Sequence, residues 1–180
     1  MFEHWDSFYL LTGGAAGALI GLLFIVATLT KGALDPDSAL RGSSIYMTPI
    51  VFHLAVVLAI SGLATAPGVG SPVAAGALGL AAALGLFAGL WVIYHLGRGR
   101  TLRPAHWTDL WCYGAMPLAA HVALGASAAA VWLGHRRAAD GVAVSVLALL
   151  LIAIRNAWDL VTWISAKGGS ASPAGPEPKP

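Results

Sequence analysis

The chain has little of what a water-soluble protein needs. Charged residues make up 10% of its 180 residues, against about 25% in an ordinary globular domain. There is no glutamine, and Asn156 is the one asparagine. Such a chain cannot cover a soluble surface. The 10 basic and 8 acidic residues leave a formal net charge of +2, too weak to grip phosphates, so nucleic acid is excluded as a partner. The single cysteine, Cys112, excludes an internal disulfide framework and any multi-cysteine metal site. HExxH, GxSxG, P-loop and CxxCH patterns are all missing, so no catalytic residue is assigned and no cofactor is expected.

What the chain has in excess is apolar length. Hydrophobic residues reach 58% and the mean hydropathy is +0.77. About 20 apolar residues cross the hydrocarbon core as a helix. Five stretches qualify: 8–30, 45–66, 73–96, 110–133 and 142–164. Strand alternation is absent, which sets a barrel aside. The expectation is an all-α, polytopic transmembrane helical bundle of five spans, in a single domain over 1–167. The Gly/Pro/Ser-rich tail 168–180 reads as disordered. The acidic start, Glu3 to Asp6, is unlike a signal n-region, so the first span reads as a retained helix.

Lysine and arginine set the orientation. Lys31 and Arg41 lie in the first connection, Arg98, Arg100 and Arg103 in the third, and Lys167 and Lys179 in the tail. Arg136 and Arg137 fall in the fourth. Keeping the larger group cytoplasmic gives N-out and C-in.

Gly13, Gly17 and Gly21 recur every four residues in the first span. They form a smooth stripe that suits close helix packing, either within one protomer or as an oligomer seam. Gly85 and Gly89 make a shorter stripe in the third span. The fourth aligns Gly114, Pro117, His121 and Gly125 on one face, and Pro49 stands four residues before His53 in the second. Proline frees a backbone carbonyl one turn upstream, a group tolerated where protein surrounds it. His53 and His121 are therefore expected to face the bundle interior.

The fifth span holds the least expected residues, Arg155, Asn156 and Asp159. Arg155 and Asp159 are four apart and can pair along one face. An arginine near mid-span costs roughly 2.5–3.5 kcal/mol. At about 1.5 Å per residue, Asp159 lies about 8 Å, His53 about 12 Å, Arg155 about 14 Å and His121 about 16 Å from the cytoplasmic ends. An intramembrane polar cluster of His53, His121, Arg155, Asn156 and Asp159 follows as an expectation, either as structural glue or as an ion, proton or ligand site. His53 and His121 are also the candidates for axial haem ligands of a b-type site. His95, His106 and Asp109 could hold zinc, but they read more simply as polar residues of the interface.

Two motifs carry a resemblance. Trp5-Asp6-Ser7-Phe8-Tyr9, followed by Gly14-Ala15-Ala16-Gly17-Ala18-Leu19-Ile20-Gly21-Leu22-Leu23-Phe24, resembles the first helix of small multi-span bacterial membrane proteins of unknown function. Arg155-Asn156-Ala157-Trp158-Asp159 is similar to a late helix of the same group. Some members carry the label of modulator of a membrane protease. The resemblance covers residues 1–30 and the fifth span, and the middle matches in hydropathy alone. It implies the bacterial inner membrane and no reaction. Two functions follow as expectations: a non-enzymatic accessory subunit that binds a larger membrane protein through helix contacts, or a small oligomeric channel or transporter that uses the polar cluster.

Overall fold

The computed structural model describes residues 2, 4–29, 46–98 and 107–169, with the backbone alone for residue 107 and residues 166–169. Among them there is no strand. Five helices are long and apolar enough to cross a membrane. They are α1 (Asp6–Leu29), α2 (Thr48–Thr65), α3 (Ser71–Gly97), α4 (Leu110–Trp132) and α5 (Ala138–Gly169). A single turn, Trp107–Asp109, leads into α4.

Local chemistry sets the ends. Proline at the first positions of α2 and α3 presets the dihedral where no N–H partner is needed. Pro67 holds Ala66 extended at φ −71° and ψ 131°, which stops α2. Gly68 then turns the chain at φ +75°. A Schellman motif ends α4: Gly134, at φ +71°, donates to Val131 O, and His135 N donates to Ala130 O at 2.9 Å.

The fifth helix begins at Ala138, four residues before its apolar run. Arg137 O accepts from Gly141 N, and Asp140 sits in the first turn where the dipole favours it. Counting apolar residues misses such ends because a helix continues past the hydrocarbon.

The helices α2, α5, α4 and α3 form a four-helix core, and α1 lies against α2 with lighter contact to α5. Small residues decide where backbones approach. In the α3–α4 seam, a Cβ at Gly114 would come within 2.7 Å of Ile93 Cγ1, and one at Gly89 within 3.1 Å of Leu118 Cδ1. A Cβ at Gly85 would overlap the His121 ring. On α1, Gly13 abuts Ser61 Cβ at 2.8 Å from its virtual Cβ, and Thr12 shares a hydroxyl hydrogen bond with Ser61 at 3.1 Å. Gly17 and Gly21 meet nothing within 4 Å. The expected stripe thus serves internal packing at Gly13 alone.

Candidate functional site

The buried polar side chains fall into two layers. The first is built on α4, whose opening Leu110–Ala115 is π-helical before the α-helix Met116–Trp132. In that wider register Met116 N donates to Trp111 O. The next amide along belongs to Pro117, which has no N–H. The carbonyl of Cys112 is thereby left without a helical donor. Asn156 Nδ2 of α5 fills the vacancy, donating to Cys112 O at 2.7 Å. Tyr113 Oη reaches back, donating to Asn156 O at 3.0 Å and towards Asp159 Oδ2 at 3.3 Å. The Tyr46 ring meets the Tyr113 ring edge-on at 5.0 Å. Asn156 and Tyr113 are each 1% exposed, so these bonds form away from lipid, where an unpaired group is expensive.

Arg155 departs from this inward set. It is exposed on the outer face of α5, and its Nη1 donates to Asn156 Oδ1 at 3.2 Å. Asp159 is half-buried.

The second layer is a ring cluster two turns further along α2 and α4. His53 and His121 are buried with ring centroids 5.3 Å apart, and Phe52 stacks on His121 at 6.1 Å. Pro117 O accepts from His121 Nδ1 at 2.8 Å. A carbonyl can only accept, so Nδ1 carries the proton and Nε2 the lone pair. That Nε2, and Nδ1 of His53, have no hydrogen-bond partner among the described residues.

No family model matches this chain, and comparison with curated proteins and with solved structures finds no match. The reading therefore rests on the geometry.

The structure brings His53 to His121, and Asn156 and Asp159 to Tyr113, but the five expected residues form two layers and not one cluster. A haem held by both imidazoles would have to displace Phe52 from His121 and the Gly85 backbone from its edge. Of the zinc candidates, His106 lies outside the described residues. His95 Nδ1 donates to Trp91 O at 2.9 Å with its ring 4.0 Å from the Trp91 ring, and Asp109 is buried at the start of α4. No group of three metal-ligating side chains occurs among the described residues. Arg98 lies over the Tyr94 ring at 4.3 Å, while Arg100 and Arg103 lie outside the described residues.

Sequence reasoning missed Tyr113 and the Cys112 carbonyl. Pro117 carried the signal, because a mid-span proline implies an orphan carbonyl and Asn156 was the obvious donor. The π register, which moves that orphan from Tyr113 to Cys112, has no signature in composition.

Proposed function

We propose that this chain is a non-enzymatic accessory or regulatory subunit of the bacterial inner membrane, oriented N-out and C-in. It docks through one face of α5 on a partner helix that carries an intramembrane carboxylate. The observation that carries this reading is the outward Arg155. Val144, Leu147, Leu151, Arg155, Trp158 and Thr162 recur at spacings of three and four, and all are exposed. They make a continuous stripe with one cation in it.

Arg155 lies ten residues inside the Ser165 end of the span, about 15 Å deep at 1.5 Å per residue. Helical side chains lean towards the N-terminus, here away from the nearer water. Snorkelling is therefore a poor escape, and a lipid-facing guanidinium costs about 2.5–3.5 kcal/mol. An acidic side chain on a neighbour offsets that cost and fixes the docking register. The resemblance of the first helix and of Arg155 to Asp159 to small bacterial membrane proteins supports the location.

The test places a photoreactive residue at Trp158 in cells and follows its adduct. The expected result is one discrete adduct with a membrane protein. Arg155→Leu abolishes it, Arg155→Lys retains it, and neutralising one carboxylate in a span of the captured protein also abolishes it. An adduct indifferent to Arg155→Leu would sink the proposal.

A second reading, a small oligomeric channel or transporter, is favoured by the buried histidine pair. Solute flux into liposomes holding the purified chain, lost on His53→Ala or His121→Ala, would support it. Sealed liposomes would count against it.

A further inference from the structure

Two buried imidazole nitrogens without partners are the least explained atoms of the molecule. We propose that His53 and His121 form a two-imidazole site for a soft monovalent cation, Cu(I) by its chemistry, with Ag(I) as an equivalent probe.

The argument starts from His121. Its Nδ1–H is tied to Pro117 O at 2.8 Å, the arrangement that fixes the tautomer of metal-bound histidines and makes the other nitrogen a better donor of electron density. The remaining lone pair, on Nε2, is fully buried and meets no donor among the described residues. An unsatisfied buried polar atom costs about 1–3 kcal/mol. Here there are two, because Nδ1 of His53 is in the same position, on a ring 5.3 Å away.

The surroundings select the ion. The Nε2 edge of His121 faces the backbone of Gly85, where any Cβ would overlap the ring. That side therefore offers room but no third ligand. Zinc takes four ligands in a structural site and three in a catalytic one, and no three-membered group of His, Cys, Asp or Glu exists among the described residues. A dication held by two neutral ligands in an apolar box would also carry a heavy desolvation cost. A d10 monovalent ion is content with two nitrogen donors, and imidazole suits copper.

The Phe52 ring lies 5.9 Å from the His53 ring and 6.1 Å from that of His121. It presents a π system to the same point, which favours a cation. Phe52 also lines an apolar groove of about 290 Å³ between α2 and α3, with Pro49, Phe87 and Trp91. Rotation of its ring is a route inward.

This site is independent of the α5 docking face, so either proposal can fail alone. The test uses the full-length chain in detergent under anaerobic conditions. Cys112→Ser removes the lone thiol, and Cu(I) is supplied against a chromophoric chelator. We expect one ion per chain, with His53→Ala or His121→Ala weakening retention by more than about 100-fold, beyond the usual effect of losing an outer-shell partner. Because either variant could fail to fold, the same protein with ¹⁵N-histidine is titrated with Ag(I). Two imidazole spin systems should move together at one equivalent. Retention indifferent to both substitutions, or histidine signals that stay in place, would overturn the proposal.

Discussion

Asn156 is where one side chain does most to join two helices. Its Nδ2 serves the Cys112 carbonyl, its backbone oxygen accepts from Tyr113, and its Oδ1 accepts from Arg155. Asn156→Ala would strand a buried carbonyl at a cost of about 1–3 kcal/mol, read as a lower unfolding midpoint in detergent. The Thr12–Ser61 hydroxyl pair is a simpler contact. Thr12→Val should cost nearer 0.6 kcal/mol, the average for such pairs between membrane helices. The order of these two effects is the check, since a larger loss at Thr12 would contradict the assignment of the α4–α5 clasp. Gly85→Ala is a third case. Its methyl group would overlap the His121 ring, so the helices must part, and we expect a chain that is poorly folded or sparsely recovered from membranes.

Between elements, Pro117 and Asn156 act as a pair. Pro117→Ala restores an amide that can serve the stranded carbonyl, so the cost of Asn156→Ala should shrink in that background. A double-mutant cycle reads the difference, and strict additivity would show that the proline is not the origin of the vacancy. On α1 the sequence stripe divides: Gly13→Ala should weaken the α1–α2 contact, whereas Gly17→Ala should be neutral for folding. Five helices were legible in the sequence because apolar length is a strong signal in a chain so poor in charge. The inward faces of His53 and His121 were legible through their neighbouring prolines. Their separation from Asn156 was not, because depth along a span follows from counting but rotation about its axis does not. The outward turn of Arg155 was hidden for the same reason: its neighbour Asn156, about 100° round the helix, takes the inward position.

At the scale of the whole molecule the usual distribution is inverted. Thr12, His53, Ser61, Asp109, His121, Ser127, Ser145 and Asn156 are buried, while Phe24, Phe87 and Trp158 are about 70% exposed. Water would penalise that surface and hydrocarbon accepts it. Because dispersion and hydrogen bonds then do the work between helices, the small-residue seam of α3 and α4 and the Asn156 clasp take the place of a hydrophobic core's driving force. Cysteines introduced singly into the Cys112→Ser background test the orientation we propose. One in the tail should react with an impermeant reagent only after the cytoplasmic side is opened, and one at Ser71 should react in intact cells. The opposite pattern would invert the topology.

The π-helical opening of α4 also acts as a phase shift. Tyr113 and His121 are eight residues apart, which in an unbroken α-helix would set them about 80° out of line at 100° per residue. The wider turn absorbs one residue, and both side chains come to point inward. This makes the chain unusually sensitive to length at one place. Removing a single residue between 110 and 115 would let the helix regularise and would swing Asp109 and the whole preceding turn by about 100°, carrying a buried carboxylate round towards lipid. A substitution there changes a contact, whereas a deletion changes which side of the helix everything upstream belongs to.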